Sequence, residues 1–205
     1  METEANQPSS SEGVGRSALP RGRIARARAW LSAAWRNPAY RFAALFLLYL
    51  AVIGFAYPAL RTYFREVGNA MSTGTAQLEY YLFKLFGTDV SVSDTTLTFG
   101  GFAVQIIEEC TAIYEILIFS AAVLAFQTSW RKKAVGLALG LPLLYAINLF
   151  RIAVLMVVGR YYASVFDFMH LYFWQATLIL MITSVWLLWI FKVVQRDEET
   201  LPARS

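Results

Sequence analysis

Cysteine and histidine are almost missing from this chain: Cys110 is its only thiol and His170 its only imidazole. A single cysteine excludes an intrachain disulfide, and with a single histidine beside it no Cys/His zinc set can form. Charge is sparse as well, 16% of residues, against 58% hydrophobic and 16% aromatic over 205 positions. That is far more apolar surface than a soluble domain of this size could bury. The chain therefore reads as an all-α polytopic membrane protein. Any thiol chemistry falls to Cys110, and no metal or organic cofactor is expected.

The basic excess, 18 Lys and Arg against 14 Asp and Glu, does not point to nucleic acid. Many of these residues are arginines of the first 41 positions, and others sit beside apolar runs, where they read as topology signals. Residues 1 to about 20 are rich in Ser, Gly and Pro with no apolar period and are expected to be disordered. From Arg21 to Arg41 a basic juxtamembrane segment sets arginines among Ile24, Trp30, Leu31 and Trp35, as in a helix lying on an anionic leaflet. Phe42 to Ile53 followed by Gly54-Phe55-Ala56 has the look of a signal peptide, but the long Arg-rich leader argues against its removal.

A bilayer takes roughly 20 residues of helix, and four stretches qualify, at about 42–60, 110–126, 134–159 and 171–194. Arg131, Lys132 and Lys133 after the second, and Lys192 and Arg196 at and beyond the end of the fourth, place those ends with the basic N terminus on the cytoplasmic side. The outer segment, 61–109, sets Glu66, Glu79, Asp89, Asp94, Glu108 and Glu109 against Arg61, Arg65 and Lys84, and residues 195–205 form a cytoplasmic tail. The expected location is the plasma membrane (bacterial inner membrane), multi-pass, with both termini cytoplasmic. Within the outer segment, Gln77 to Phe86 has near-helical spacing and should lie in the interface. Asp89 to Ile107, with its β-branched residues around Asp94 and Gly100-Gly101, predicts a small extended or hairpin element ahead of the second span.

On this topology three chemically distinctive residues meet at the outer face. Cys110, read as the first residue of its span, is set near unpaired helix amides whose dipole favours thiolate, though a lone cysteine also suits a small buried hydrophobe. Arg151 lies roughly 12 Å below Gly159 at 1.5 Å per residue, too deep for an ordinary flank. Asn148 shares its helix face and could orient the guanidinium or a bound carbonyl. Glu115 lies at a similar depth but about 140° around its helix from Cys110, so a structural Arg151–Glu115 pair and a role for Arg151 in chemistry are compatible. His170, opening the last span, can exchange a proton with Cys110 or act as a polar anchor.

The segment Glu109-Cys110-Thr111 followed by a membrane helix, then Asn148-x-x-Arg151 within the next and His170 at the last, resembles the exosortase/archaeosortase family of membrane cysteine transpeptidases. The resemblance covers about residues 85 to 192. It implies Cys110 as nucleophile, Arg151 as its transition-state or thiolate partner and His170 as acid and base, with Asn148, Glu109, Thr111 and Glu115 supporting them. It also implies exported protein substrates bearing a C-terminal sorting signal (a short motif, one membrane helix and a basic tail), cleaved through an acyl-cysteine passed to water or to an amine or lipid acceptor. Two departures stand out. Ala112 occupies a position where the family usually shows glycine, and the chain has four spans where many members have about eight.

Two other classes compete with this reading. A non-enzymatic membrane assembly subunit would use Arg151 and Glu115 as a structural pair and leave Cys110 inert. A small transporter subunit would place Arg151 on an anion path, but four unrepeated spans without broken helices fit that poorly.

Overall fold

A computed structural model of the protein describes residues 35–63 and 65–195. The expectations for the disordered and basic N-terminal segments up to residue 34, and for the tail from residue 196, lie outside the described residues. Contacts divide the chain after Arg41. In the described part of the first unit, Asn37 Oδ1 accepts from the Ala39 N–H at 3.0 Å.

Among the described residues three helices are long and apolar enough to cross a membrane: α1 (Pro38–Tyr63), α4 (Trp130–Tyr161) and α5 (Ala163–Val194). Between α1 and α4 lie α2 (Arg65–Leu85), the strands β1 (Val90–Ser93), β2 (Thr96–Phe99) and β3 (Phe102–Gln105), and the short apolar helix α3 (Ile113–Ala125). The protein is thus mostly helical and polytopic, with a small sheet before the cysteine. Over the second expected span, 110–126, the helix is shorter than the apolar stretch. Its helix has 13 residues, roughly 20 Å at 1.5 Å per residue and short of the ~30 Å hydrocarbon layer. The cause lies at its start, where Glu108–Cys110 form a 3-10 turn and Ala112 adopts φ 62°, ψ 12°. A residue in the left-handed region cannot belong to a right-handed helix, so α3 begins only at Ile113. The last span also differs, since it begins at Ala163 and contains a π turn at Met169–Phe173. His170 therefore lies inside α5 and does not open it.

The amphipathic helix expected over Gln77–Phe86 is the second half of α2. Its inward face is Ser72, Thr75, Ala76, Glu79 and Phe83, and Thr75 Oγ1 lies 3.0 Å from the Tyr145 hydroxyl of α4. The strands form one antiparallel sheet in the order β1-β2-β3. Gly100 (φ 54°) and Gly101 (φ 90°) close the β2–β3 hairpin in a two-residue turn that requires positive φ at both positions.

Burial of apolar side chains, worth about 25 cal/mol per Å², is concentrated in two clusters. One joins Phe83, Val90, Leu97, Ile106, Ile152 and Met156, holding α2 and the sheet against α4, with Cys110 packed at its margin. The other joins Phe119, Val123, Leu144, Val185, Trp189 and Ile190, holding α3, α4 and α5 together. Gly159 fixes the sheet's seat on α4, because the Phe102 ring fills the space a side chain there would take.

Candidate active site

The turn that carries Cys110 is held on several sides. The Cys110 N–H donates to the Ile107 carbonyl at 2.9 Å, and the Thr111 N–H and Oγ1 both donate to the Glu108 carbonyl, at 3.0 and 2.7 Å. Glu108 Oε2 accepts from Arg61 Nε at 2.8 Å and from the Tyr57 hydroxyl at 3.2 Å, which ties the turn to the end of α1. From α4, Asn148 Nδ2 donates to the Cys110 carbonyl at 2.6 Å. The backbone on both sides of the sulfur is thereby fixed. Cys110 itself is a half-buried free thiol. It precedes α3 and does not begin it, although the positive end of the α3 dipole still lies on its side.

Two cavities meet at this turn. The first, about 330 Å³, is lined by Phe102 to Ile107, by Cys110, by Arg151, Ile152, Leu155 and Met156 of α4, and by Phe166 and His170 of α5. The second, about 490 Å³, runs between α3 and α5 past Glu109, Tyr114, Glu115, Ile118, Leu171 and Leu178. Cys110, Arg151 and His170 line both.

Arg151 is buried, and its Nη1 stands 3.8 Å from Glu115 Oε1. That separation neutralises charge but exceeds hydrogen-bonding range. Among the described residues Arg151 Nε and Glu115 Oε2 are buried without hydrogen-bond partners, so the guanidinium keeps donor capacity for a third group. The His170 ring stacks on Phe166 one turn back, with centroids 5.6 Å apart and planes within 8°. That stacking fixes the plane of the imidazole while its edge remains on the cavity.

Of the supporting residues expected from the sequence, Asn148 and Thr111 hold the backbone around Cys110, Glu115 faces Arg151, and Glu109 is exposed at the rim of the second cavity. Sequence reasoning missed Glu108, the carboxylate that anchors the turn, because nothing in Glu108-Glu109-Cys110 distinguishes the paired acid from its exposed neighbour. It also missed Glu79, fully buried on α2 with neither carboxylate oxygen hydrogen-bonded among the described residues. Among the described residues no group of three His, Cys, Asp or Glu side chains could hold a metal ion.

These elements define a helical membrane protein with a thiol, a guanidinium and an imidazole gathered between its helices. The transmembrane exosortase family matches residues 29–190, a stretch that includes all three, and the chain belongs to that family. No individually curated protein and no solved structure matches it.

Proposed function

We propose that the protein is a cysteine peptidase or transpeptidase that cuts the C-terminal sorting signals of exported proteins at the outer face of the membrane. The observation that supports this most strongly is the presence of Cys110, Arg151 and His170, from three separate elements, on both of two adjoining cavities. His170 takes the thiol proton, and the Cys110 sulfur attacks the scissile carbonyl carbon. The oxygen that gains charge is stabilised by Arg151, whose field is strengthened by its dry surroundings. Collapse of the tetrahedral adduct breaks the C–N bond, His170 returns its proton to the departing amine, and the substrate is left as a thioester on Cys110. Attack by an amine acceptor, or by water, then frees the thiol. The Glu115 carboxylate keeps Arg151 in place without occupying its donors. In this topology both termini are cytoplasmic.

Comparing wild type with Cys110→Ala at equal membrane levels, on co-expressed exported reporters carrying C-terminal sorting signals, tests the reading. Cleavage in wild type alone supports it. Equal cleavage by both removes Cys110 as nucleophile and favours a structural role for the Arg151–Glu115 pair.

A further inference from the structure

Phe102 to Ile107 are consecutive, and all of them line the cavity that holds Cys110. Side chains of a strand alternate between its two faces, so a cavity on one face of the sheet would meet only every second residue. One that meets them all runs along the strand's edge. β3 is the terminal strand of the order β1-β2-β3, and among the described residues no strand pairs with its far side. The phase of the ladder is set by the Ile106 N–H, which donates to the Thr95 carbonyl at 2.8 Å. With the Leu97↔Val104 and Phe99↔Phe102 register, backbone groups of residues 102, 104 and 106 face β2, and those of Ala103 and Gln105 face outward. Both outward residues are exposed. Free edges are commonly blunted by a charge, a proline or a bulge, and Phe102-Ala103-Val104-Gln105 has a regular register with neither charge nor proline.

We propose that the free edge of β3 receives the substrate's extended segment just before the scissile bond as a parallel fourth strand. This rests on the peptidase reading and adds how that site recognises its substrate. The occupant follows from what the two cavities offer. The first is bordered along its length by the edge of β3, with which no strand pairs among the described residues, and the second by helix residues that include Ile118, Leu171, Leu178 and Ile179. A chain passing from one to the other changes, at Cys110, from extended backbone to apolar helix. An exported protein whose short motif is followed by a membrane helix has that change of character at its cleavage site. Its direction is set as well, since β3 leads through Cys110 into α3. A segment with its motif outside and its helix in the membrane runs the same way and pairs parallel to β3. Recognition is then carried mainly by main-chain hydrogen bonds from Ala103 and Gln105, as in other strand-addition modes.

The test uses an exported reporter with a sorting signal that the wild-type protein processes. Ala103→Pro and Gln105→Pro each remove an outward N–H while leaving the bonds to β2, and each is expected to slow processing at least tenfold at unchanged protein level and unchanged alkylation of Cys110. Because a proline variant could misfold, a photo-crosslinking residue is also placed at Ala103, or at Ser91 on β1, in the Cys110→Ala background. Adducts to the segment before the scissile bond are expected from position 103 and not from 91. Cys110-dependent processing with wild-type rates in both proline variants, or with no adduct at 103, overturns the proposal. Processing that does not depend on Cys110 overturns the peptidase reading and this proposal with it.

Discussion

Asn148 Nδ2 donates to the carbonyl oxygen of Cys110 at 2.6 Å, so that the helix carrying Arg151 also holds the backbone of the thiol residue. Asn148 is one turn before Arg151 and almost fully buried. Asn148→Leu keeps the volume but leaves that carbonyl without its donor, a loss of about 1–3 kcal/mol. The expected outcome is a protein that still accumulates, has a lower unfolding temperature, and processes a reporter at least tenfold more slowly. Thermal unfolding in detergent and a processing time course check both parts.

Ala112 carries strain that explains why glycine suits this position. At φ 62° an alanine is disfavoured by about 1–2 kcal/mol, while its buried methyl returns about 0.8 kcal/mol. Ala112→Gly is therefore expected to change stability by less than about 1 kcal/mol, because the two effects oppose each other. Ala112→Val adds a β-branched side chain to a left-handed residue that is already fully buried. It is expected to destabilise by more than ~2 kcal/mol. Unfolding temperatures of the two variants should thus move very differently.

The loose Arg151–Glu115 pair allows structure to be separated from chemistry. Arg151→Ala leaves a buried carboxylate uncompensated, a destabilisation of about 3–5 kcal/mol, and should lower accumulation. Adding Glu115→Ala should restore much of the protein level while processing stays lost. Recovery of processing in the double variant would assign the guanidinium a purely structural role.

Glu79 should make stability depend on pH. It lies outside the spanning helices, and burial pushes its carboxyl from 4.5 up to about 8. The folded protein then holds a proton that the unfolded chain releases. This contribution is fully present below pH 4.5 and is lost as the pH rises through about 8. Glu79→Gln keeps a neutral group there, so its unfolding temperature should fall less between pH 5 and pH 8 than that of wild type. Parallel curves would show that Glu79 does not titrate in this window.

Much of this arrangement is legible in the residue pattern because membrane spans announce themselves by length and hydropathy. Basic loops then give each span an expected direction, which is how residues as distant as Cys110 and His170 could be expected on one side. The Gly100-Gly101 pair likewise marks its hairpin. The start of α3 is not legible, since an alanine gives no sign of positive φ where a glycine would. Glu79 is hidden for a similar reason. A lone acid within Gln77-Leu78-Glu79-Tyr80-Tyr81 looks like the wet face of an interfacial helix, and only the packing of α2 on α4 and the sheet turns it inward. The π turn that takes His170 into α5 depends on backbone geometry that no residue type there specifies.

The most direct test of the central claim is the mass of the protein after reaction with a processed reporter. Purified wild-type protein, quenched in acid during turnover, should carry the reporter's upstream fragment as a thioester on Cys110, and hydroxylamine should release it. Cleavage of the reporter with no adduct on Cys110, or continued cleavage by Cys110→Ala, would contradict the account.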